Sequence, residues 1–250
     1  MRLSQKVALV TSSASGICAS TARQLATEGA RVMICGRNAA QGRATVHQIR
    51  SSGGRASFTL ADIAVAADTK AAIDETIATY GRLDILFNHA SGSAVRDGVL
   101  LEVSEAVWDR VVETTLKGTF FCCQYALPFL QQSGSGTIIN LVEQLPAGPM
   151  QSVTAVCQGG ILAMTGAIAK QFSADAVTAN LIWVAEPTAT PSVAASDLNL
   201  LMAQIPNGTA HSSESTQPFT DIAEAVMYLA VGSSLHGSAL IVTPPHSLTL

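Results

Sequence analysis

Residues 6–29 read KVALVTSSASGICASTARQLATEG, and this stretch decides the fold. Lys6–Ser12 is a near-continuous apolar run bounded by small residues, the pattern of a strand covered on both faces. From Gly16 the period changes. Cys18, Ala22, Leu25 and Ala26 recur at helical spacing, and Gly29 stops the run after Glu28. The turn between strand and helix is made of small residues, which lets backbone N–H groups and a helix N-terminus point at an anion. The same unit repeats along the chain. Arg31–Cys35, Ala56–Leu60, Leu83–Phe87, Thr137–Val142, Val177–Val184 and Ala239–Thr243 read as further strands. Ala39–Ile49, Val65–Tyr80, Val107–Gln131, Ala155–Phe172 and Thr220–Val231 read as helices. Alternation of apolar strands with helices implies an α/β fold with a parallel sheet covered on both faces.

The remaining composition fits one compact unit over residues 1–250. Apolar residues make up 48% of the 250 and charged residues 13%, which excludes a disordered chain. Residues 187–217, rich in Ala, Ser, Thr and Pro, break the rhythm and read as a surface excursion able to lid a cleft. Fourteen basic against 18 acidic residues give a net charge of −4 without a basic block, so nucleic acid is not expected as a partner. Mean hydropathy is high at +0.34, yet no run approaches the roughly 20 apolar residues of a membrane span. The first residues turn polar too early for a signal peptide, so a cytoplasmic protein without a membrane is expected. The cysteines (18, 35, 122, 123 and 157) lack a CxxC pair and read as buried thiols, with no metal site.

The turn at 11–18, TSSASGIC, resembles the T-G-x-x-x-G-x-G turn of the short-chain dehydrogenase/reductases, and the resemblance extends along the whole chain. It implies a Rossmann-like doubly wound sheet, seven parallel strands in the order 3-2-1-4-5-6-7. Gly16 keeps the middle glycine, while Ser12 and Cys18 stand in place of the others. Cys18 puts a side chain where the helix packs tightly. Asp62 in LADIA matches the family's acidic residue at the end of the third strand. Asn88 in NHAS matches the start of its N-N-A-G segment. The resemblance thus implies a nicotinamide-dinucleotide site from Ser12, Gly16, Ile17, Arg37, Asp62, Ile63 and Asn88, weak or structural in role. The second strand ends in Gly36-Arg37 without an acidic residue. That favours the 2′-phosphate of NADP(H); the other reading of Arg37 is a solvated strand end.

The family's catalytic positions can be followed through their surroundings. WDRVVETTLKG places Thr115 at the relay asparagine, and GTIINLVE places Glu143 at the serine. TAVCQG places Thr154 at the tyrosine and Gln158 at the lysine. With all four replaced, the expectation is a non-redox enzyme. It would carry out a cyclisation, isomerisation or elimination on a hydrophobic small molecule, as in a biosynthetic pathway. Glu143 is its acid/base, Thr154 and Gln158 stand beside it, and His89 is the next candidate. Ser91, Ser93, Gln144, Met150 and Trp183 are expected to line the pocket. Two alternatives remain: an NADP-dependent oxidoreductase with a rearranged proton donor, and a non-catalytic paralogue that binds a ligand or partner. A homodimer or homotetramer is expected through the two long helices, where Phe120, Phe121, Leu127, Ile161, Leu162 and Ile168 are apolar on more than one face.

Overall fold

The computed structural model describes residues 1–11, 16–89, 97–143, 152–184, 210–211, 222–231 and 235–242. The strands are β1 (Val7–Thr11), β2 (Arg31–Gly36), β3 (Arg55–Leu60), β4 (Ile85–His89), β5 (Gly136–Glu143), β6 (Val177–Val184), β7 (Ala210–His211) and β8 (Ala239–Val242). The helices are α1 (Gly16–Thr27), α2 (Ala39–Ser51), α3 (Ala66–Tyr80), α4 (Glu105–Val112), α5 (Gly118–Ser133), α6 (Ser152–Gln171) and α7 (Ile222–Ala230). All pairings are parallel, in the order β3-β2-β1-β4-β5-β6-β8-β7. The seven strands expected from the sequence stand in their expected order. The two-residue β7 adds an edge beyond them. It falls within 187–217, so Ala210 and His211 belong to the sheet; the rest of that segment lies outside the described residues.

The period of two along each buried strand divides the core. Ala8, Val10, Ile34, Phe87, Leu141 and Ile182 face one side, where α1, α2 and α7 bring Ala22, Leu25, Ile49 and Val226. Val7, Leu9, Met33, Leu86, Ile138 and Ala179 face the other, against Ile73 of α3, Ala126 and Leu130 of α5, and Ile168 of α6. The single helix expected over 107–131 is two helices, α4 and α5, joined through a π turn at Glu113–Lys117 that carries Thr115. By length and composition α6 is apolar enough to cross a membrane, but 56% of its apolar window is buried inside this fold. It packs on β6 and α4 as a core helix.

A polar ladder crosses the middle of the sheet. Register places Thr11 beside Asn88 and Asn88 beside Asn140. Thr11 Oγ1 donates to Asn88 Oδ1 at 2.9 Å, Asn88 Nδ2 to Asn140 Oδ1 at 2.9 Å, and Asn140 Nδ2 to Thr165 Oγ1 at 2.9 Å. Each amide is satisfied, so these buried polar groups lock β1, β4, β5 and α6 in one alignment. That alignment sets the carboxyl ends of β4 and β5 side by side.

Candidate active site

His89 is the last residue of β4 and Glu143 the last of β5. Their side chains meet, with His89 Nε2 3.4 Å from Glu143 Oε1. On the other side of the ring, Nδ1 lies 3.3 Å from Cys18 Sγ in the first turn of α1. Exposure grades along this row: Cys18 0%, His89 5%, and the Glu143 side chain 23%. The carboxylate is therefore the end that opens outward. Burial by itself disfavours the charged ring, but the sulfur of Cys18 and the Glu143 carboxylate outweigh it. Together they raise the His89 pKa to about 10.

Helix α6 closes on this row from its first turns. Gln158 Nε2 donates to the main-chain oxygen of Glu143 at 2.5 Å, tying the end of β5 to the helix. Thr154 N–H donates to Asp97 Oδ2 at 2.6 Å, so a buried carboxylate from outside the helix satisfies one of its free amides. Among the described residues, seven buried side-chain polar atoms lack a hydrogen-bond partner. Five of them are His89 Nε2, Glu143 Oε1, Thr154 Oγ1, Asp97 Oδ1 and Thr115 Oγ1. Four of these atoms belong to two contacting pairs, His89 with Glu143 at the strand ends and Thr154 with Asp97 at the start of α6, which Gln158 ties to Glu143. Buried polar groups are otherwise paired, so this end of the sheet is the candidate site.

The nucleotide end is built on α1 and the ends of β2 and β3. Gly16 has φ +55°, and an added Cβ there would meet nothing within 4 Å, so the backbone is open to a close approach. No acidic residue stands in the first turn of α1. Arg37 is largely exposed, and its guanidinium lies 3.7 Å from Asp62 in a loose ion pair that leaves donors free. These features fit a dinucleotide with an additional phosphate. Asp62 Oδ1 accepts from Ala64 N–H at 3.0 Å, which holds the carboxylate at the end of β3. Two expected contact residues are committed elsewhere. Asn88 spends its amide in the ladder, with Cys123 Sγ as a further acceptor at 3.4 Å. The Ile63 carbonyl accepts from Thr69 Oγ1, and a Cβ on Gly118 would come within 3.0 Å of that same oxygen. Ile17 is half-buried against the core.

Trp183 is buried on β6 at 8% exposure, opposite Val142, and leaves little surface for a pocket. Ser12, Ser91, Ser93, Gln144 and Met150 lie outside the described residues. Cys18 is accommodated without loosening the helix, since its sulfur sits between the Thr11 carbonyl, at 3.6 Å, and His89. This link is absent from the sequence reading. A signal for it existed: strands 1, 4 and 5 are neighbours in the expected order, so groups at their carboxyl ends converge at the switch point of the sheet.

The family model described as Enoyl-(Acyl carrier protein) reductase matches residues 12–242. The chain belongs to the short-chain dehydrogenase/reductase superfamily. It is 34% identical over 183 residues to the (2S)-((R)-hydroxy(phenyl)methyl)succinyl-CoA dehydrogenase subunit BbsD of Thauera aromatica, covering 73% of each chain. Over 180 residues it is 34% identical to the 3-oxoacyl-(acyl-carrier-protein) reductase FabG of Staphylococcus aureus, covering 71% of this chain and 72% of that one. A metagenomic short-chain oxidoreductase solved in complex with NADP superposes with a TM-score of 0.76 at 24% identity, covering 100% of both chains, and bears on the fold alone.

These relatives correct the expectation of a non-redox cyclase, isomerase or lyase. They are named as a dehydrogenase and a reductase. The physical reason is that hydride transfer is chemistry of the nicotinamide, so replacing the family's proton-donating residues does not remove it.

Proposed function

We propose that this chain is an NADP(H)-dependent oxidoreductase that interconverts a carbonyl and an alcohol on a hydrophobic small molecule, with His89 and Glu143 as its proton-transfer pair. The observation that carries the reading is their 3.4 Å approach at the carboxyl ends of β4 and β5, the place where open α/β sheets bind ligands. When bound, the dinucleotide supplies or accepts the hydride. Residues of this chain do the rest. In the reducing direction the His89 imidazolium passes its Nε2 proton to the Glu143 carboxylate, and Glu143 passes it to the carbonyl oxygen as that oxygen gains charge. Glu143, the accessible member, then takes a proton from solvent and returns it to the ring. Gln158 holds the end of β5 in place through its bond to the Glu143 carbonyl. Arg37 supplies the cation for the 2′-phosphate, with Gly16 and the α1 N-terminus beside the pyrophosphate.

The test is oxidation of NADPH against a panel of hydrophobic ketones and aldehydes, with mass analysis of the products. Products heavier by two hydrogens, formed by the parent and lost in Glu143→Gln and His89→Gln, support the reading. Equal turnover in both variants would overturn it. A cytoplasmic, reducing setting suits the five cysteines, all of them free and buried. Trp108, Phe120 and Val156, on α4, α5 and α6, remain 42%, 47% and 52% exposed. Apolar surface on three neighbouring helices supports a homodimer or homotetramer. A single monomeric species at micromolar concentration in sedimentation would remove that part.

A further inference from the structure

The side of His89 that faces away from the carboxylate has a partner that the proton transfer does not use. Cys18 Sγ stands 3.3 Å from Nδ1 and 3.6 Å from the Thr11 carbonyl oxygen, fully buried between them. Counting donors and acceptors assigns the roles. An ionised carboxylate only accepts, so Nε2 beside Glu143 carries a hydrogen. The single thiol hydrogen has two acceptors in reach, the Thr11 carbonyl and Nδ1. Given to Thr11, it leaves sulfur lone pairs facing Nδ1, which then carries a hydrogen of its own; given to Nδ1, it leaves the ring neutral and the Thr11 contact empty. The Glu143 carboxylate on the opposite side supplies the counter-charge that favours the first arrangement, a doubly protonated ring with Nδ1–H held by sulfur and Nε2–H facing the carboxylate.

We infer that Cys18 is a positioning residue for His89: its sulfur, anchored by the Thr11 carbonyl, holds the Nδ1 hydrogen so that the ring presents its Nε2 proton to Glu143. An orienting group on the far nitrogen is how a histidine is kept in one working orientation. Here a thiol takes that place. Thr11 fixes both parts of the arrangement, since its carbonyl receives the thiol and its hydroxyl donates to Asn88, the residue next to His89 in β4. Thr11 is also the last residue of β1, where the dinucleotide turn begins. The orientation of the proton donor is thereby set by the strand that starts the cofactor site. Among the described residues, the titratable groups that act on the ring are Cys18 from α1 and Glu143 from β5.

The catalytic consequence rests on the reading of His89 and Glu143 as the proton-transfer pair; the state of the ring does not. Nuclear magnetic resonance of the full chain labelled with ¹⁵N-histidine, without cofactor, reads that state directly. In the wild type at pH 8, both His89 ring nitrogens carry hydrogen. In Cys18→Ala the His89 titration midpoint falls by roughly one unit or more, because burial is no longer opposed from the Nδ1 side. Cys18→Ser, which keeps a donor and acceptor, stays nearer the parent. The reductase kcat of Cys18→Ala falls roughly tenfold to a hundredfold, the usual worth of an orienting partner, and the alkaline limb of its pH profile moves down with the midpoint. A neutral wild-type ring with a bare Nδ1 overturns the inference without any variant being made. So does an unchanged His89 titration in Cys18→Ala. If the ring behaves as described while no substrate is turned over, the Cys18–His89 link stands and the proton-donor reading is what fails.

Discussion

The two ends of the parallel sheet treat a carboxylate in opposite ways. At the amino ends, Asp84 is buried and fully answered. It accepts from Val7 N–H at 2.9 Å, from Arg82 at 2.8 and 2.6 Å, and from Lys6 at 3.1 Å. Burial alone would raise its pKa, but these donors hold it below the ordinary carboxylate range. At the carboxyl ends, Glu143 Oε1 has His89 as an ion-pair neighbour and, among the described residues, no hydrogen bond. One end spends its charge on holding the strands together. The other keeps its charge pair at the open end of the sheet, where a ligand can reach it.

The sharpest way to break that comparison is Glu143→Gln. Its amide keeps the shape of the carboxylate but cannot relay a proton, so kcat should fall roughly 10²–10⁴-fold while the thermal midpoint hardly moves. A large loss of stability with unchanged kcat would make Glu143 a structural group like Asp84. The reciprocal experiment is Asp84→Ala, which leaves Val7 N–H and two cations without their acceptor. It should cost about 3 kcal/mol in denaturant unfolding and leave kcat as it was. The Asp84 pKa is lowered on folding, so its contribution is complete above the unfolded carboxylate value. It disappears as pH falls through the lower folded value, so the stability difference between parent and Asp84→Ala should shrink in acid below the ordinary carboxylate range. The active end should titrate in the other direction. His89 must be protonated to act, and its pKa is raised to about 10, so kcat should hold through neutrality and fall as pH rises past that value. A limb near the ordinary histidine value would separate the ring from its two neighbours. The smallest expected effect is that of Arg37→Ala. Removing an exposed cation should weaken NADPH binding by roughly tenfold and leave NADH binding unchanged, as measured by calorimetry.

The amino-acid sequence discloses the fold because buried parallel strands such as VALVT and TIINLV are apolar on both faces and unlike the helices between them. The order of the strands comes instead from the resemblance to the short-chain dehydrogenase/reductases. The active end is legible only in part. Glu143 stands out as a carboxylate closing an apolar run, and His89 as an imidazole closing another. Their contact depends on the register of β4 against β5, set by the Asn88–Asn140 pair, and local sequence does not encode that register. Cys18 reads as an obstruction in a glycine turn because its partner lies 71 residues away in the chain. The larger difference is chemical: Thr154 and Gln158 in place of a phenol and an ammonium point away from redox activity, whereas hydride transfer depends on the nicotinamide rather than on the proton donor.

The π turn at Glu113–Lys117 has a consequence for how this half of the molecule tolerates insertions. In an unbroken α-helix, Val111 and Cys122 are eleven residues apart and would project within about 20° of each other. Here Val111 packs with Val153 and Cys157 of α6, whereas Cys122 packs toward the sheet with Ile138. The wider turn acts as a phase shifter, rotating the downstream helix by roughly a quarter of a revolution so that each segment buries its own stripe. Deleting one residue from the turn would restore the common phase and set the two stripes in competition for one face. The length of this five-residue segment, more than its composition, is what the fold fixes.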